Sequence, residues 1–135
     1  MTAADRFAQT ARWLRYAEED LRTAESLLRL PHGIPRHACW LAQQAAEKAL
    51  KAVLTSLQID FPRTHDLDTL RNLVPDGWHL KDAHPDLVRL TEWTVEARYP
   101  GDWAEPTDEE AKAAVEQART VCTSVTTELS ERGLL

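Results

Sequence analysis

Glycine is nearly missing from this sequence, with four in 135 residues. Loops that cradle phosphates or present a strained nucleophile need several glycines at set spacings. No G-x-x-x-x-G-K-S/T, G-x-G-x-x-G or G-x-S-x-G string occurs, so no cofactor held by such a loop is expected. Cysteine is scarce too. Cys39 and Cys122 sit inside helical patterns without metal-like spacing, and read as small buried hydrophobes. No apolar run approaches the roughly 20 residues that span a bilayer, and the opening "MTAADRFAQTARW" has no apolar signal core. The expectation is a cytoplasmic protein with no membrane segment. An excess of positive charge is also absent: 22 acidic against 16 basic residues leave a formal charge of −6. That argues against a broad phosphate-binding surface or a basic recognition helix. A local basic pocket stays open, because twelve of the sixteen cations are arginine, the better fork for phosphate or carboxylate.

What is abundant is alanine, leucine, glutamate and arginine, which favours helix almost everywhere. The hydrophobic share of 43% is globular, and the length fits one domain over 1–135 with a single core. The expected fold is all-α, an up-and-down antiparallel bundle of about five helices, three long and two short. A first helix, about 7–29, places Leu14, Ala17, Leu21, Ala24 and Leu28 on one stripe. "LPHGIP" stops it, and Pro35 suits the first turn of a second helix, about 35–58. There Ala38, Ala42, Ala45, Ala49 and Ala52 make a row of methyl groups that admits a neighbour closely. Thr64 or Asp66 caps a short third helix through Leu67, Leu70 and Leu73. "VPDGWHLKDAHP" reads as loop, and a fourth helix covers about 85–97. Thr107 and Glu110 form a capping box opening a last helix with Ala111, Ala114, Ala118, Val121, Val125 and Leu129 inward.

Five histidines invite a metal site. None pairs at i, i+4 with another histidine or a suitable carboxylate, and Glu-x-x-His is absent, so no metal is expected. The most polar helical stretch is "LAQQAAEKALKAVL". Gln44, Lys48 and Lys51 share one face by spacing, with Gln43 and Glu47 in the adjacent row. Periodicity alone leaves two readings, a solvated exterior, which it favours, or a surface meant to meet something.

Three strings in order, "AxxLAQQAAEKALKAVL", "FPRTHDL" and "EARYPGDW", resemble the HEPN domain family over nearly the whole chain. The resemblance implies a helical bundle that dimerises and works beside a minimal nucleotidyltransferase, as in toxin–antitoxin pairs. It also implies one of two activities, since some members are metal-independent ribonucleases and others bind nucleotides. The ribonucleases carry an arginine followed a few residues later by a histidine. Arg98 stands in that place, but "YPGDWAEPT" follows it without a histidine. No Trp or Ala there can move a proton near neutral pH. The expectation is therefore a non-enzymatic homodimeric binding module for a nucleotidyltransferase-type partner, with nucleotide phosphate in a cleft lined by Gln44, Lys48, Lys51, Arg98, Tyr99 and His65. The alternative is an RNA-cleaving toxin with a rearranged site that uses Arg98 and His65. Dimerisation also follows from apolar rows and five tryptophans that exceed what one thin bundle hides.

Overall fold

Six helices cover the residues that the computed structural model describes, 1–94 and 105–135. α1 (Ala3–Arg29) and α2 (Pro35–Ser56) form an antiparallel hairpin, the most extensive helix pair in the chain. α1 starts earlier than its apolar stripe suggests. Thr2 Oγ1 accepts from the Asp5 backbone N–H and the Asp5 carboxylate accepts from the Thr2 N–H, closing a capping box built with Asp. Leu14, Ala17, Leu21 and Ala24 are buried as their spacing predicts.

α2 is the axis of the fold. Its five-alanine row is fully enclosed, and α6 (Asp108–Glu131) packs along it. Burying methyl groups costs little side-chain entropy and keeps the helices close. α6 enters beside the start of α2, where Arg36 meets Glu105, and runs in the same sense, with Cys122 near the Ala45 carbonyl. Thr107 and Glu110 close the expected capping box, and the whole predicted stripe from Ala111 to Leu129 is buried. α2 ends two residues before the expected boundary. Gln58 takes a left-handed φ of 55° while Gln58 and Ile59 N–H groups return to the carbonyls of Thr55 and Leu54. Arg6 then holds the Gln58 side chain at 2.9 Å.

The middle of the chain departs from expectation in two places. The stretch read as loop contains α4 (His79–Ala83), and the fourth helix expected over 85–97 is only α5 (Val88–Thr91) within the described residues. Leu87 and Leu90 still point inward, but bonds from Trp93 to Leu90 and Thr94 to Thr91 tighten the chain out of the helix. The end of the expected fourth helix and the string "EARYPGDW", with Arg98 and Tyr99, lie outside the described residues. α3 (Leu67–Asn72) is capped by Asp66, which accepts from the N–H groups of Asp68 and Thr69. Thr64 instead accepts from the Asp66 N–H at 3.1 Å.

α4 is held from a distance. Its first two N–H groups, on His79 and Leu80, donate at 2.8 Å each to the two oxygens of Glu128, in the last turns of α6. Arg132 pairs with the same carboxylate and lies 4.1 Å from the Trp78 ring centroid. Burial opposes the Glu128 charge, but the two backbone donors and Arg132 outweigh it and hold its pKa below the ordinary 4.5.

Candidate functional site: a polar centre on the second helix

The adjacent row on α2, Gln43 and Glu47, is not solvated exterior. Gln43 is completely buried and Glu47 is 4% exposed. The correction has a physical cause: the segment leading to α3 lies over this row, which helical periodicity cannot reveal. Gln43 Nε2 donates to the backbone carbonyl of His65 at 3.0 Å and to Glu47 Oε1 at 3.2 Å. His65 Nδ1 sits 2.8 Å from the same Glu47 oxygen, and Lys51 Nζ lies 2.9 Å from the other. An ionised carboxylate only accepts, so Nδ1 carries the hydrogen in this contact. Burial works to raise the Glu47 pKa. Hydrogen bonds from Lys51, His65 and Gln43 and the Lys51 charge together overcome that and bring it below 4.5.

Of the six residues proposed from sequence, four fall within the described part. Lys51 is 15% exposed and its ammonium sits 5.6 Å from the ring centroids of both Trp13 and Phe61. Lys48 is taken by Asp20 of α1 at 2.5 Å. Gln44 donates to Gln43 Oε1 at 2.7 Å. His65 keeps 38% of its side chain exposed at the edge of the centre. The structure thus brings Lys51 and His65 together through Glu47, Gln44 joins them through Gln43, and Lys48 faces α1 instead. Arg98 and Tyr99 lie outside the described residues.

Sequence reasoning put Glu47 beside the site and missed it as the hub. The signal was present in "QQAAEKALK", where Gln43, Glu47 and Lys51 recur at steps of four. Asp20, Trp13 and Phe61 gave no such signal, because only tertiary packing delivers them. A separate groove of about 500 Å³ runs between α4 and α6, lined by His79, Glu116, Thr120 and Ser124 among others. None of the proposed site residues lines it. Among the described residues no group of three or more His, Cys, Asp or Glu could hold a metal ion, and no helix is long and apolar enough to cross a membrane.

A second buried network stands behind α3. Arg71 pairs with Asp68 and donates to the His84 carbonyl at 2.7 Å, while His84 Nε2 lies 2.9 Å from Ser124 Oγ. Burial first, and then the Arg71 charge, push the His84 pKa below 6.5. The sign follows. The unfolded chain takes up this proton more readily, so the contribution of His84 is intact above pH 6.5 and drains away as pH falls below it. Glu47 acts likewise below pH 4.5. Urea unfolding from about pH 7.5 to about pH 4 should show stability falling first through the histidine window and then through the carboxylate one. His84→Gln should flatten the first fall and leave the second. An unchanged slope below pH 6.5 in that variant would refute the assignment.

An all-helical bundle built on an alanine-rich central helix, with a buried Gln–Glu–Lys centre reaching a histidine of the following loop, defines the class. The HEPN domain family matches residues 10–129, and the chain belongs to that family. It is 34% identical over 116 residues to the Methanocaldococcus jannaschii protein named "Putative toxin MJ1304", covering 78% of this chain and 75% of that one. Two crystal structures resemble it. TT1696 from Thermus thermophilus superposes with a TM-score of 0.74 at 27% identity, covering 90% of this chain and 98% of the other. The archaeal HEPN homologue ST0689 gives 0.65 at 24%, with the same coverages, and speaks to the fold alone.

Proposed function

We propose that the chain is a non-enzymatic HEPN binding module, homodimeric, that pairs with a nucleotidyltransferase-type protein in a toxin–antitoxin-like couple. The observation that carries this reading is the internal pairing of the α2 cations. Lys48 is matched by Asp20 and Lys51 by Glu47, so the ammonium groups expected to hold a substrate phosphate already serve the fold. The sequence after Arg98 supplies no histidine for proton transfer. The relative named as a toxin supports a paired role. Any nucleotide phosphate would draw on Arg98, with His65 and Gln44 at the rim.

One observation favours the second reading, a ribonuclease toxin with a rearranged site. His65 is oriented by a carboxylate at 2.8 Å and is partly exposed, which is how a proton-transferring imidazole is commonly held. The two readings separate in one set of measurements. Wild type, His65→Ala and Arg98→Ala are assayed on labelled RNA, and wild type is co-expressed with a minimal nucleotidyltransferase, sought first in the genes flanking its own. The expected result is no cleavage by any of the three, a dimer by sedimentation, and a stable complex with the transferase. Cleavage by wild type that either substitution abolishes would replace the binding reading with the second one.

A further inference from the structure

Two side chains one turn apart on α6 hold the two ends of α4. Glu128 takes its leading amides, and Ser124 meets His84, the residue that follows its last turn. Inside a helix, a serine or threonine hydroxyl commonly returns to the carbonyl four residues back. Thr10, Thr23 and Thr120 do so here. Ser124 does not. Its Oγ lies 2.9 Å from His84 Nε2, within reach for proton transfer. His84 is only 7% exposed, and Arg71 anchors its backbone by donating to its carbonyl at 2.7 Å.

Ser124 also lines the groove between α4 and α6. The volume of about 500 Å³ falls within the range of roughly 300–1,000 Å³ that small-molecule sites occupy. Thr123 and Thr127 line the same wall, and neither hydroxyl is engaged among the described residues. Burial and the nearby Arg71 charge disfavour the imidazolium form of His84. Near neutral pH the ring is therefore uncharged, and one of its nitrogens can accept a proton. The Ser124 hydroxyl thus has a proton acceptor beside it and opens on a groove of ligand size.

We propose that Ser124 is a self-modification site, which takes an acyl group from an activated ester bound in the groove, with His84 as the base. Ser124 Oγ attacks the carbonyl carbon, and its proton passes to His84 Nε2. The bond from that carbon to the leaving oxygen then breaks. The leaving group departs with the electron pair, and His84 gives up the proton to it or to solvent. Thr123 and Thr127 supply the hydroxyls closest in sequence for the carbonyl oxygen while it carries charge. A seryl ester needs only a hydroxyl, a base and an electrophile. The groove holds the first two, and the third arrives as the ligand. The acyl group stays on the chain, so the step involves no turnover. It stands beside the non-enzymatic reading and does not depend on it.

The test incubates the full chain with p-nitrophenyl acetate in neutral buffer and follows the acetyl group by intact and peptide mass spectrometry. One acetyl group per chain is expected at Ser124, with an equal amount of nitrophenolate released. Ser124→Ala should remove that label. His84→Gln keeps a hydrogen-bonding partner for the hydroxyl but no comparable base, so labelling of Ser124 should slow about 10²–10⁴-fold. Circular dichroism checks that both variants fold. Should either fail to fold, wild type alone decides: Ser124 must outpace Thr123 and Thr127, which line the same groove without an imidazole partner. Label confined to lysines or the N-terminus would overturn the proposal, as would equal labelling of the three hydroxyls. An unchanged Ser124 rate in folded His84→Gln would do the same, leaving Ser124 only as a pin between α4 and α6. Dimerisation and transferase pairing are read in separate measurements, so their failure and the failure of this step are distinguishable.

Discussion

Glu47→Ala is expected to lower the unfolding free energy by about 3–5 kcal/mol, the range for removing one partner from a buried ion pair. Three donors converge on this carboxylate: Gln43, His65 and Lys51. Without it, Lys51 keeps a poorly hydrated charge between Trp13 and Phe61, and Gln43 loses one of its two acceptors. Small proteins are stable by about 5–15 kcal/mol, so a large part of the native margin goes. Glu47→Gln should cost less, since the amide oxygen still accepts from Lys51 or His65. Adding Lys51→Met to Glu47→Gln should recover part of the loss, because the stranded charge is gone. Urea denaturation of the four proteins decides it. A Glu47→Ala midpoint indistinguishable from wild type would mean that the centre contributes nothing to the fold. Recovery in the double variant would separate desolvation of Lys51 from loss of packing.

The second large effect is expected in the last turns of α6. Glu128→Ala should cost about 3 kcal/mol, because two backbone donors lose a charged acceptor and are left without a partner. Arg132 also loses its carboxylate, though it keeps the Gly77 carbonyl at 3.3 Å and its place over Trp78. Glu128→Gln should fall between, since an amide can accept from one N–H but turns a donor toward the other. Hydrogen exchange gives the local readout: the His79 and Leu80 amides should exchange far faster in the alanine variant, while those in the middle of α2 change only with global stability. Unaltered protection at His79 and Leu80 would show that α4 stands without its remote cap.

These two carboxylates also mark how far the sequence could be read. The long helices were legible because their apolar stripes, the Pro35 start and the Thr107 capping box are local patterns, and each is realised. The alanine row on α2 announced close packing for the same reason. α4 was illegible because its stabilising group stands 48 and 49 residues downstream of the amides it binds. The burial of Gln43 and Glu47 was hidden likewise, since a loop covers them and a helical wheel shows only the helix. For the candidate site, the residue types were readable and the pairing was not. Lys48 looked like a ligand group until Asp20, 28 positions away, was found beside it.

The remote cap on α4 has a consequence for how the chain assembles during synthesis. The residues of α4 leave the ribosome well before Glu128 exists, so the helix then has no acceptor for its leading amides. An isolated helix of five residues does not persist in water. The α1–α2 hairpin needs only a short turn to close and can form early, whereas α4 must wait for the final helix. Segments made in the middle of translation are thus completed by its last products. Leu80, buried in the finished protein, is an apolar side chain left without its α6 neighbour during that interval.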